Sequence, residues 1–253
     1  MIKSKRLSRF SEIEHFFFNR LGGKSNGIYK SLNCGSGSSD NKKNILKNLA
    51  LVEKKIKSGL SKIILLNQIH SNKFYFIEKI SKLNHKKFTG DALITNKSNV
   101  PIAVLTADCA PILMFDKNNK TIAAIHAGWK GAYKGIVKKV VKFMIKKGSS
   151  PKDITAVIGP CISMKNYEVK EDFIKKFIKK NPKNKVFFKK IRDKNYFNLN
   201  EYIVFQLRSL NIKKIEVINK DTFDIKNNFF SARRSISHNE NDYGRNISVI
   251  MIN

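Results

Sequence analysis

The chain has 253 residues, of which 42% are hydrophobic, 27% charged and 10% aromatic, a profile that suits a soluble globular protein and excludes disordered, collagen-like and fibrous classes. The formal charge is +31, yet only eight of the 50 basic residues are arginine (Arg6, Arg9, Arg20, Arg192, Arg208, Arg233, Arg234, Arg245). Lysine spread over surface helices gives solubility and weak polyanion affinity, whereas a dedicated reader of DNA or RNA concentrates arginine at bidentate contacts, so no specific nucleic-acid partner is expected.

Cys34, Cys109 and Cys161 are too few and too scattered for a disulfide framework, and no C-x-x-C pair marks a zinc ribbon, which fits a reducing compartment. The opening Met1-Ile2-Lys3-Ser4-Lys5-Arg6-Leu7 lacks the apolar region of a secretory signal. The longest apolar stretch, Val100 to Phe115, is broken by Thr106 and Asp108 and is too short to span a membrane. These features predict a cytoplasmic protein with no membrane partner.

In chain order, hydrophobic patterning predicts a helix over 41–57, strands over 62–66, 74–77, 92–95, 102–106, 112–116 and 122–126, and a long amphipathic helix over 131–147. That helix presents Ile136, Val137, Val140, Val141, Met144 and Ile145 on one face and ends at Gly148. Strands over 156–158, 214–218 and 247–251 and helices over 171–179 and 199–209 follow. Lys179 to Lys190 reads as a helix end and loop. No repeat or Pro/Gly/Ser-rich linker divides the chain, so residues 1–253 are expected to form a single domain. The irregular alternation of strands and helices favours an α+β mixed-sheet sandwich over a doubly wound sheet, and no G-x-G-x-x-G or P-loop pattern opposes that reading.

Reactive residues gather at strand ends in the middle third. Thr106-Ala107-Asp108-Cys109 interrupts a buried apolar strand pair, which calls for either a turn or a thiol held at a sheet edge. His126 ends the next strand, and Gly128-Trp129-Lys130-Gly131 opens the amphipathic helix, where free amides and Lys130 offer an anion site. His70 follows an apolar run and Asn67-Gln68, whereas His15 lies in an aromatic cluster and His85 and His238 in polar loops. His70, Cys109 and His126 together suit an open three-ligand zinc site. They equally suit a thiolate–imidazolium pair with Asp108 or His70 as orienter.

The blocks Gln68-Ile69-His70-Ser71, Gly90 to Asn96, Leu105 to Pro111 and His126 to Gly131 resemble those of the laccase-domain (multicopper polyphenol oxidase) family, whose bacterial members form the purine nucleoside phosphorylase YfiH group. Flanking blocks around Gly22 to Ser25, Tyr29 to Gly35, Ile158 to Ile162, Tyr167 to Val169, Phe229 to Arg234 and Tyr243 to Arg245 extend the resemblance over nearly the whole chain. It implies a fold similar to the catalytic domain of cytotoxic necrotizing factor, and one divalent metal, zinc or copper in its place, on His70, Cys109 and His126. It further implies cleavage of adenosine, inosine, guanosine and methylthioadenosine with phosphate to base and pentose 1-phosphate, together with adenosine deamination, by a monomer or homodimer.

Three positions depart from the family pattern: Lys130 replaces an arginine, Leu49 follows Asn48 where arginine is usual, and Ala232 precedes the arginine pair. The expected phosphate cradle is Gly128, Lys130 and Gly131 with Arg233 and Arg234, and Asp108 is expected to orient a ligand or move a proton. Rival readings are a metal-free Cys–His hydrolase or amidase acting on peptidoglycan precursors, a copper-dependent polyphenol oxidase, and a lysine-driven polyanion binder.

Overall fold

A computed structural model describes residues 1–59, 61–78 and 88–253; the loop placement expected for His85 lies outside the described residues. Twelve strands are formed among these residues: β1 (Ile13–Phe17), β2 (Phe74–Ile77), β3 (Ala92–Thr95), β4 (Ile102–Thr106), β5 (Ala110–Asp116), β6 (Thr121–Ala127), β7 (Ile154–Ile158), β8 (Glu168–Val169), β9 (Phe188–Ile191), β10 (Lys194–Phe197), β11 (Lys214–Val217) and β12 (Asn246–Ile252). Six α-helices accompany them: α1 (Lys42–Lys55), α2 (Trp129–Lys134), α3 (Ile136–Lys146), α4 (Glu171–Lys180), α5 (Leu199–Arg208) and α6 (Ala232–Ser237). No described helix is long and apolar enough to cross a membrane.

The strands build a six-stranded mixed sheet in the order β11-β7-β5-β6-β3-β2, a three-stranded antiparallel sheet β1-β12-β4, and a small β8-β10-β9 sheet. β5 and β6 are buried along their whole length because both faces of the large sheet are covered. On one face Ile112, Met114 and Ile125 pack against Val137, Val140 and Met144 of α3 and Ile203 and Leu207 of α5. On the other, Leu113, Phe115, Ile122 and Ala124 meet Ile102, Val104, Ile250 and Ile252 of the three-stranded sheet. The outer face of that second sheet is closed by Val52 and Ile56 from α1 and the residue that follows it. The result is a layered α+β sandwich with mixed sheets, as the patterning predicted.

Several expectations need correction. The single helix over 131–147 is two helices, because Gly135 adopts a left-handed φ of 82° that ends α2 before α3 begins. Ile145 is 37% exposed and does not join the buried face. The strand over 62–66 is not formed; Ile64 makes one isolated bridge to Ile102, and beyond it the Gln68 side chain takes the place of a strand neighbour. It donates from Nε2 to Leu105 O at 2.7 Å and accepts from Leu105 N at 2.8 Å. Lys179 to Lys190 runs past α4 through a 3₁₀ turn (Pro182–Phe187) into β9. β9 and β10 are joined by Arg192 and Asp193, both at positive φ, a two-residue turn without the glycine that normally signals a hairpin.

The layers meet closely at Gly159, whose backbone N–H bonds Pro111 O at 2.8 Å. A Cβ built there would overlap the Phe17 ring and crowd Pro111. Gly159→Ala should therefore destabilise the fold by about 1–3 kcal/mol in urea unfolding, the usual cost of overfilling a packed core; an unchanged midpoint would show that the sheets separate there freely.

Candidate metal centre

His70, Cys109 and His126 come from three different chain segments and meet at one end of the β5–β6 pair, where β5 starts and β6 finishes. His126 lies near the end of β6, its backbone paired with Pro111 of β5. Cys109 immediately precedes β5 and follows Asp108, which takes a φ of 80° to turn the chain out of β4. His70 has a φ of 55°, outside any strand. The ligand atoms of the three side chains all lie within 4.8 Å of one another, with Cys109 Sγ 3.7 Å from His70 Nε2.

Asp91, just ahead of β3, organises this cluster. Its fully buried carboxylate accepts His70 N–H at 2.9 Å, Ser71 N–H and Ser71 O–H at 2.6 Å each, and His126 Nδ1 lies 2.8 Å from Oδ1. Its own carbonyl accepts His126 N–H at 2.8 Å. The carboxylate thereby fixes which nitrogen of His126 carries the proton and leaves Nε2 for the cluster, the usual arrangement behind a histidine ligand. Burial works against the Asp91 anion, but the bonds from His126 and Ser71 outweigh it and hold its pKa at about 2. Asp91 was not singled out in the sequence, where Gly90-Asp91 reads as a turn before a strand; the signal was its position inside one of the blocks that carried the resemblance.

Gly128 faces the cluster directly: a Cβ there would come 2.5 Å from Cys109 Sγ and 3.0 Å from His70 Cδ2. Two imidazoles and a thiol are a donor set that suits a tetrahedral cation, in which bonds of about 2.3 Å to sulfur and about 2.0–2.1 Å to nitrogen place those atoms roughly 3.6 Å apart. The His70–Cys109 separation matches that spacing.

The other expected residues are placed differently. Asp108 has both carboxylate oxygens engaged, by Thr222 O–H at 2.6 Å, Ser231 O–H at 2.9 Å and Arg233 N–H at 2.6 Å, so it ties the β4–β5 turn to the start of α6. Burial raises its pKa despite those bonds. Arg234 is buried and donates to the carbonyls of Thr222, Phe223 and Phe229, an anchor rather than a free cation. Arg233 donates to Glu168 O. Lys130 is exposed and lies 5.6 Å from the centre of its neighbour's ring, Trp129. Gly131 faces Ser71 O, where a Cβ would sit at 3.1 Å. None of Gly128, Lys130, Gly131, Arg233 and Arg234 lines the cleft of about 370 Å³ onto which His70, Cys109 and His126 open. It is also lined by Leu65, Leu66, Asn67, Gln68, Leu105, Thr106 and Ala107, and by Ser36, Gly37, Tyr243 and Arg245 from near the two ends of the chain.

The sequence model of the family described as multi-copper polyphenol oxidoreductase laccase matches residues 14–253. The chain belongs to this family. It is similar to a Bacteroides thetaiotaomicron protein named purine nucleoside phosphorylase, 32% identical over 92% of this chain and 91% of that one. A Haemophilus influenzae protein of the same name is 35% identical over 94% and 93% of the two chains. The crystal structure of the Bacillus licheniformis hypothetical protein YfiH aligns with a TM-score of 0.86 at 28% identity, covering 95% of this chain and 93% of that one.

Burial would raise the Cys109 thiol, but the charges and hydrogen bonds of His126 and His70 prevail and bring it to about 6. Burial likewise opposes protonated His126, which Cys109 and Asp91 nonetheless hold at about 9. Burial pushes the Cys34 and Cys161 thiols up. Metal-stripped protein should thus be alkylated at Cys109 alone, with a midpoint near pH 6. Asp91→Asn removes the anion that favours the imidazolium and should move that midpoint toward the ordinary thiol range; a wild-type midpoint already in that range would contradict the pairing.

Proposed function

We propose that the protein is a zinc-dependent purine nucleoside phosphorylase. The observation that carries this reading is the convergence of two imidazoles and one thiol on a single open cleft, in a family whose relatives bear that name. The cleft volume falls within the roughly 300–1,000 Å³ of small-molecule sites. Zinc, when bound by His70, Cys109 and His126, supplies positive charge that polarises an oxygen of the substrates.

The chain's own groups do the remaining work. Asp91 holds His70 and His126 in register, and Gln68 fastens the segment before His70 to the end of β4. Gly128 keeps the ligand side free of a clashing Cβ. Leu65, Leu66 and Leu105 offer apolar surface to a purine face. In phosphorolysis an oxygen of hydrogenphosphate bonds to C1′ of the nucleoside as the C1′–N9 bond breaks. The electron pair leaves on the purine, and the proton of the hydrogenphosphate ends on that base. Adenosine deamination belongs to the same proposal: water adds at C6 and ammonia leaves, giving inosine.

Incubation with inosine and phosphate should yield hypoxanthine and ribose 1-phosphate in equal amounts, and Cys109→Ala should lower that turnover by at least 10²-fold with an unchanged urea midpoint, in keeping with loss of a group the reaction depends on. Full turnover by Cys109→Ala would overturn the proposal. Turnover that survives a chelator yet stops on alkylation would favour the thiolate–imidazolium hydrolase, and oxygen consumption with copper would favour the oxidase.

A further inference from the structure

Ser36, Gly37, Tyr243 and Arg245 also line the cleft, and this part of its wall is tied down by buried side chains. Asn33, fully buried, accepts Gly35 N–H at 3.0 Å and Arg245 N–H at 2.9 Å on Oδ1, while Nδ2 donates to Ser38 Oγ and Asp40 Oδ2 at 2.9 Å each. One side chain thus shapes the Gly35-Ser36-Gly37-Ser38 loop and sets the backbone of Arg245 beside it. Gly35 has no Cβ because the Arg245 stem lies where one would stand.

The guanidinium is fixed along one edge. Arg245 Nη1 donates to Asp242 Oδ1 at 3.2 Å and to Tyr243 O at 2.6 Å, and its carbon centre sits 4.5 Å from the Tyr243 ring centroid. Asp242 is itself shared, since its Oδ2 accepts Tyr29 O–H and Ser39 N–H at 2.8 Å each. No hydrogen bond among the described residues uses Arg245 Nε or Nη2, nor the amides of Ser36 and Gly37. Arg245 is the one arginine or lysine among the described residues that line the cleft.

We propose that Arg245, with the amides of Ser36 and Gly37, is the phosphate-binding side of this cleft, in place of the Gly128–Gly131 turn and Lys130. This rests on the phosphorylase reading and names where its second substrate is held. A planar guanidinium with one edge pinned presents paired donors to a phosphate oxygen, and neighbouring loop amides add neutral donors without bulk. Two sources share that chemistry, inorganic phosphate and the phosphate ester of a nucleotide.

The test is steady-state cleavage of inosine at varied inorganic phosphate by zinc-loaded wild type, Arg245→Lys, Gly37→Asp and Lys130→Ala. Arg245→Lys keeps the charge and loses the fork. Gly37→Asp adds a negative charge at a position where a new Cβ meets nothing within 4 Å, so it probes the anion without disturbing packing. Both should raise the KM for phosphate at least tenfold while the KM for inosine moves less than threefold. A phosphate KM that holds within twofold in both variants, or that rises in Lys130→Ala instead, overturns the site and leaves the phosphorylase reading standing. If wild type forms no ribose 1-phosphate, that reading fails, and calorimetric binding of inorganic phosphate to wild type and Arg245→Lys decides the site alone: tenfold weaker binding supports it and equal binding overturns it. Inosine 5′-monophosphate that competes with inorganic phosphate in wild type but not in Arg245→Lys would extend the site to the ester.

Discussion

The carboxylate of Asp91 is the interaction on which the site depends. It is fully buried, and it survives as an anion because four donors converge on it. Two of them come from the backbone of His70 and Ser71, so the same charge that selects the His126 tautomer also holds the His70 segment at left-handed φ. An anion with that many donors in a dry setting is costly to disturb, since removing it leaves several buried polar groups unmatched. The energetic logic is that of a support placed behind the His70–Cys109–His126 cluster: the reactive atoms are few, and their positions are set by a group that does not line the cleft.

The fold delivers these parts because its two sheets share a core. β4 pairs in the small sheet and β5 in the large one, so the chain between them must cross from layer to layer within Ala107, Asp108 and Cys109. Asp108 makes that crossing with a left-handed turn and a carboxylate bound to Thr222, Ser231 and Arg233, which puts Cys109 at the lip of the large sheet. Gln68 imitates a strand neighbour at the end of β4, and that substitution of a side chain for backbone brings His70 alongside without a continuous strand.

Much of this was legible in the sequence, for identifiable reasons. The buried strands announced themselves as apolar runs, and His70, Cys109 and His126 stood out because a reactive side chain at the end of such a run needs an explanation. Asp91 did not, because an aspartate after glycine is ordinary turn chemistry and its four donors are assembled only by tertiary structure. β9 and β10 were hidden by lysine-rich, exposed faces and by a turn of Arg192 and Asp193. Local pattern suggests free amides for an anion at the glycine turn after β6; in the structure Gly128 gives clearance against Cys109, and Lys130 does not line the cleft. Arg245 has no local signal beyond the Tyr243-Gly244-Arg245 block, since its nearness to Gly35 spans most of the chain.

The central claim is that a buried carboxylate supports a three-ligand metal site, and metal stoichiometry tests it most directly. Elemental analysis of the purified protein, with competition against a zinc chelator of known affinity, should give close to one zinc per chain, and Asp91→Ala should bind it on the order of 10–100-fold more weakly, the range seen when a support behind a ligand is lost. Wild-type protein that takes up no metal, or an Asp91→Ala variant that holds zinc as tightly as wild type, would contradict the account.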